Sequence, residues 1–144
     1  MGANTSGGSN SSSAQSGLSA EEYHKLGEDY YYGNNGVSKD YEKAFGYYLQ
    51  SAQMGHPDAY FDVALKYCYG LGTSKNYKEA IFWFKKYYDT FPTRYVAPET
   101  IGECYRDGGY GISADRNEAI KWFRIAANNG SKDASKALRE MGAR

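Results

Sequence analysis

Between Ser19 and Met141 the apolar residues return every three or four positions, as with Leu26 and Tyr30 or Ala80 and Phe84, which sets them on one face of a helix. The pattern itself repeats. One ordered set of residue types occurs three times: Leu26-Gly27, Tyr30, Gly33, Gly36, Asp40, Ala44, Tyr47, Ala52 and Gly55; then Val63-Ala64, Tyr67, Gly70, Gly72, Asn76, Ala80, Trp83 and Tyr88; then Ile101-Gly102, Tyr105, Gly108, Gly111, Asp115, Ala119, Trp122, Ala127 and Gly130. Leu26 and Val63 stand 37 residues apart and Val63 and Ile101 stand 38 apart, a period that suits a pair of helices.

Each copy reads as helix, glycine loop, helix. The paired glycines end the first helix, because a left-handed cap costs a residue with a Cβ more than it costs Gly. Asp40, Asn76 and Asp115 stand where the second helix begins, and each side chain can accept a backbone N–H left unpaired in the first turn. Glu79 and Glu118, three residues later, are expected to complete capping boxes, as Glu22 does for Ser19 at the first helix. Pro57 and Pro98 fall at or near helix starts, where a missing N–H does no harm. Small residues at Gly27, Ala64, Gly102, Ala44, Ala80 and Ala119 permit close helix approach, and Tyr30, Tyr67, Tyr105, Trp83 and Trp122 are expected to fill the core beside them. Ala134, Ala137, Leu138 and Met141 share one face of a last helix starting near Ser131, which reads as a cap over the end of the stack. The organisation expected is therefore a Gly/Ser-rich leader at 1–17 and a repeat domain at 18–144, with repeats at about 19–55, 56–92 and 93–130 and a capping helix at about 131–142.

Composition narrows the chemistry. Lys plus Arg number 17 and Asp plus Glu number 17, so the zero formal charge gives no footprint for nucleic acid or anionic membrane. Nothing in the chain is apolar for long enough to span a bilayer, and there is no secretory leader, so a cytoplasmic protein is expected. Cys68 and Cys104, 36 residues apart, are too sparse for a disulfide scaffold and are expected to be two semi-buried structural thiols. Residues 1 to 17 hold no charge and no aromatic side chain, and read as disordered. Met1-Gly2 with Ser6 meets the loose myristoylation pattern, with Gly2 as acceptor, against the plainer reading of a flexible leader; association with a membrane is expected only if Gly2 is acylated.

The repeated residues resemble the SEL-one-like repeat family, a branch of the tetratricopeptide-like solenoids, over roughly residues 19 to 134. The resemblance implies an all-α fold: an α-α superhelix, or solenoid, of three helix-loop-helix repeats plus the C-terminal capping helix. Copy two departs most. Tyr87-Tyr88 replaces a small pair, the next Gly is missing, and Ala80 to Ala97 is two residues longer than Ala44 to Ala59, so a kink or widened groove is expected near Phe91 to Val96.

Proteins of this family are mostly adaptors and scaffolds, so the resemblance implies a protein-protein interaction module that holds a partner segment on its concave face. By the tetratricopeptide analogy the side chains that meet a partner are His24, Glu28, Tyr31 and Tyr32 in copy one, Phe61, Asp62, Leu65 and Tyr69 in copy two, and Glu103 and Arg106 in copy three. Phe61, Leu65 and Tyr69 recur at i, i+4 and i+8 as an apolar stripe flanked by charge, equally open to packing on a neighbouring helix. The alternative function is a structural or regulatory module of a larger or lipid-anchored protein. Catalysis is not expected: His24 and His56 lie in different elements, and no GxSxG, HExxH or P-loop occurs. Cys68 lies just after its motif Tyr and Cys104 just before, unlike the β-lactam-linked, cysteine-rich subset of the family. No metal or other cofactor is expected, and the partner is another protein or peptide bound by a monomer.

Overall fold

The computed structural model describes residues 17–143, so the expectations for residues 1–16, Gly2 among them, lie outside the described residues. Seven α-helices occupy those residues: α1 (Ala20–Tyr32), α2 (Tyr41–Gln53), α3 (Pro57–Tyr69), α4 (Tyr77–Thr90), α5 (Val96–Asp107), α6 (Arg116–Asn128) and α7 (Lys132–Glu140). The described residues contain no strand, only an isolated bridge between Gly109 and Ile112. The chain divides after His56 into two compact units. The first contains the hairpin α1–α2, and the second contains α3–α4 and α5–α6 followed by α7.

Local chemistry starts the second helix of each hairpin where the sequence says it should. The side chains of Asp40, Asn76 and Asp115 accept the backbone N–H of Lys43, Glu79 and Glu118 at 3.0–3.1 Å. The full capping box forms only at α1, where Ser19 N–H donates to Glu22 and Glu22 N–H donates to Ser19. At α4 and α6 the expected second half is absent for a clear reason. The N-cap N–H that the glutamate would accept is already given to the carbonyl of the motif tyrosine one helix earlier: Asn76 to Tyr67 and Asp115 to Tyr105, with Asp40 to Tyr30 in the first hairpin, all at 2.8 Å. Glu118 instead accepts from the indole N–H of Trp122 at 3.3 Å. Gly108, at φ +68°, closes α5 against Ala114, whose backbone N lies 2.5 Å from where a Cβ would stand.

In the first unit the ring of Tyr48 lies flat against the α1 backbone at Gly27. A Cβ there would sit 2.7 Å from Tyr48 Cδ1, and Tyr48 is 2% exposed, with nowhere to go. Tyr47 faces outward by comparison and stacks between Tyr23 and Tyr30, at 6.1 and 5.6 Å between ring centroids. The buried Ser51 hydroxyl donates to the Ala20 carbonyl at 2.6 Å, tying the end of α2 to the start of α1.

The second unit repeats the contact. Phe123 lies on Gly102, again 2.7 Å from an imagined Cβ, while Phe84 and Ala64 are both fully buried in the α3–α4 hairpin. Trp83 and Trp122 are buried as expected, but Tyr30, Tyr67 and Tyr105 are only half-buried. Their backbone carbonyls serve the hairpin by accepting the N-cap N–H of the next helix. Ala134, Ala137 and Leu138 close over Ala119, Ile120, Phe123 and Ala126, so α7 covers the last hairpin. The extra length after α4 becomes a turn at 91–95 rather than an open gap. Asn129 donates to the carbonyls of Pro92 and Arg94 at 2.9 and 3.2 Å, and the Arg94 guanidinium sits 3.9 Å from the centre of the Phe91 ring.

Two glycines in neighbouring helices separate close packing from helix propensity. Gly27→Ala should lower stability in urea unfolding by about 1–3 kcal/mol, the cost of overpacking a filled contact. Gly46→Ala, exposed on α2 with no atom near its Cβ position, should raise stability by roughly 0.5–1 kcal/mol. Equal and small effects at both sites would contradict the ring-on-backbone contact.

Candidate functional site

The ten side chains expected to meet a partner do not share one environment. In the first unit Glu28 and Tyr32 are exposed, Tyr32 at 61%. Tyr31 is half-buried and stacks on Tyr41 of α2 with centroids 4.7 Å apart and planes 17° apart. His24 packs between Tyr48, tilted at 5.4 Å, and His56, edge-on at 5.0 Å. The two histidines lie in separate elements, as expected, and their rings are nevertheless in contact. Among the described residues no group of three or more His, Cys, Asp or Glu could hold a metal ion.

In the second unit the stripe along α3 splits. Phe61 turns toward α4, 5.9 Å from Phe84 and 5.0 Å from Tyr87, and belongs in part to the core. Leu65 is half-buried. Asp62 lies 3.9 Å from the ammonium of Lys66, a buried lysine whose proton affinity is lowered by desolvation and partly restored by that carboxylate. Tyr69 stays 60% exposed.

Tyr69, Glu103 and Arg106 do come together, around a pocket of about 270 Å³ that Cys68, Tyr77, Thr100, Cys104 and Asp107 complete. Tyr77, Thr100 and Cys104 were not expected there. Tyr77 opens a second helix, and attention to first helices passes over it. Thr100, Cys104 and Asp107 follow one another at four and three residues on α5, a spacing that was legible. Arg106 is committed to Asp107, its Nε donating at 2.9 Å, with its guanidinium 5.6 Å from the centre of the Phe123 ring. The remaining charge in the pocket is Glu103. Its carboxyl is held above the usual carboxylate range, first by burial and then by Glu99 one turn earlier.

The cysteines are also not as expected. Both are buried rather than semi-buried, and they are in hydrogen-bond contact with one another across α3 and α5.

With this arrangement in view, likeness to known proteins places the chain. The sequence model of the Sel1 repeat family matches residues 23–56, 57–88 and 101–131. The chain belongs to the Sel1 repeat family. Among solved structures it is similar to c5321, a protective antigen of uropathogenic Escherichia coli strains displaying an SLR fold. The identity there is 30% and the TM-score 0.69, over 88% of this chain and 26% of that one. It is also similar to a Sel1 repeat protein from Oxalobacter formigenes, with 32% identity and a TM-score of 0.64 over 80% of this chain and 46% of that one. This Sel1 repeat chain thus spans less than half the length of either. Helicobacter pylori cysteine rich protein B, 17% identical with a TM-score of 0.55 over 85% of this chain and 98% of that one, shares the fold alone. No helix among the described residues of this Sel1 repeat chain is long and apolar enough to cross a membrane.

The environment of Glu103 makes a pH-dependent stability difference. Its folded-state proton affinity lies above the unfolded one, so its contribution is fully favourable at low pH and is lost as pH rises through the raised value. Glu103→Gln should therefore melt at a higher temperature than wild type near about pH 7. The difference should shrink toward about pH 4. A gain of the same size at both pH values would contradict burial of the charge as its source.

Proposed function

We propose that this Sel1 repeat chain is a protein-binding module whose second unit receives a segment of a partner protein in the pocket between α3 and α5. Sel1 repeat solenoids are generally protein-interaction modules. The observation that carries the reading is the pocket itself. It joins an exposed tyrosine, Tyr69, to a second tyrosine, Tyr77, and to the raised-pKa carboxyl of Glu103. Aromatic walls of this kind supply contact area at little entropy cost, and a half-buried carboxyl favours a partner that brings a donor to it. A segment with one large apolar side chain followed by a basic residue matches that chemistry. Asp62 and Leu65 on α3 extend the surface, whereas Phe61 supports it from the core side. On the first unit, Glu28 and Tyr32 are the exposed candidates and His24 and Tyr31 the packed ones behind them. The role is binding and positioning, without a reaction.

The second reading, a structural or regulatory module of a larger or lipid-anchored protein, is favoured by the greater length of the two bacterial relatives. The intact mass of the native protein decides between them.

Peptides selected from a random library against the folded chain give the direct test. Their binding should shift NMR signals of Tyr69, Tyr77 and Glu103, and Tyr69→Ala with Glu103→Gln should weaken them by at least about tenfold. Shifts confined to α4 and α6, or affinity unchanged in the double variant, would reject this pocket.

A further inference from the structure

The sulfurs of Cys68 and Cys104 meet beneath the pocket without any counterpart in the repeat pattern. Cys68 follows the motif Tyr67 and Cys104 precedes the motif Tyr105, so the two occupy different registers, one near the end of α3 and the other near the end of α5. Both are free, with 6% and 2% exposure, and both line the pocket, which gives a small reagent a way in. A hydrogen bond between the two thiols, on the wall of one pocket, brings the sulfurs within the reach that a disulfide needs.

We propose that Cys68 and Cys104 are an oxidation-sensitive dithiol, in which exchange with a small-molecule disulfide closes a covalent bridge between α3 and α5. The chemistry proceeds in two displacements. The Cys68 sulfur, as thiolate, attacks one sulfur of the reagent, whose S–S bond breaks and releases one thiolate. Cys104 then gives up its proton and attacks the Cys68 sulfur of the mixed disulfide, expelling the second thiolate. Two electrons pass from the cysteines to the reagent. The two thiol protons end on the two released thiols, so one disulfide is reduced as one forms.

The division of roles follows from the environment. The hydrogen bond from Cys104 lowers the proton affinity of Cys68 against the opposing effect of burial, and the same bond, with burial, pushes the Cys104 thiol up. Cys68 is also the more exposed, as an attacking sulfur must be. Lys75 adds a smaller attraction for the Cys68 thiolate, while Glu103 opposes it. A closed metal site is not the alternative, since no third donor of the usual kinds joins the pair among the described residues. The bridge would fix α3 against α5 directly under Tyr69 and Glu103. It stands on the placement of the sulfurs alone and does not require that the pocket bind a peptide.

The test uses the folded chain and oxidised glutathione, with an acid quench, intact mass measurement and peptide mapping without reductant. Wild type should lose two hydrogens, retain no glutathione, lose both thiols together and yield one linked peptide containing Cys68 and Cys104. Dithiothreitol should restore the starting mass. Cys104→Ser, checked for native circular dichroism, should stop at one glutathione on Cys68, and Cys68→Ser should react more slowly than Cys104→Ser. The proposal is overturned if wild type ends with glutathione on either cysteine, or if the bridge links two chains. It is equally overturned if both thiols survive in the folded chain while guanidinium-unfolded chain reacts. The wild-type result decides the matter even if a variant fails to fold.

Discussion

An aromatic ring laid on bare helix backbone is the contact on which the rest of this protein depends. Tyr48 on Gly27 and Phe123 on Gly102 bring two helices closer than any Cβ would allow, and each ring is almost completely buried in doing so. Such closeness sets the axial distance, and the interlocking of side chains around it sets the angle. A second constraint then fixes the register. The N–H of the residue capping the second helix is donated to a tyrosine carbonyl near the end of the first, at the same 2.8 Å in all three hairpins. One contact locks depth and the other locks slide along the axis, so the outward positions of the first helix have little freedom left.

In the second unit that rigidity has chemical consequences. With α3 and α5 each held by its own hairpin, side chains that are unrelated in the repeat meet at their C-terminal ends. Tyr69, Glu103 and Arg106 gather around a pocket, and Cys68 and Cys104 meet beneath it. The linker between α4 and α5 is tied down by Asn129, so the irregular length of the second repeat is absorbed without loosening this end of the unit. Ser131, buried at the start of α7, both receives the N–H of Ala134 and donates to Glu99, which connects the closing helix to the face that carries Glu103.

Much of the fold was legible because its signals are local. Caps at Asp40, Asn76 and Asp115, glycine stops and apolar spacing all act within a few residues, and they place the helices and the covering role of α7. What the sequence concealed depends on longer range. The fully buried ring of each second helix is Tyr48, Phe84 or Phe123, one residue after the aromatic position of the repeat, and period alone does not say which of two adjacent rings points inward. Tyr30, Tyr67 and Tyr105 recur beside a backbone duty as well as a packing one, so recurrence overstated their burial. Reciprocal capping boxes failed at Glu79 and Glu118 because the N–H they needed had a partner in another helix. The cysteine pair was hidden by its unequal register, which places the two sulfurs at non-equivalent motif positions 36 residues apart.

A double-mutant cycle on the last hairpin tests the central claim most directly. Unfolding free energies would be measured for wild type, Gly102→Ala, Phe123→Leu and the pair. If the ring truly rests on the backbone, the smaller Leu makes room for the new methyl group, and the double variant should be more stable than the sum of the single losses predicts by about 1 kcal/mol or more. Strict additivity, with each substitution acting as though the other were absent, would show that the two residues do not touch as described.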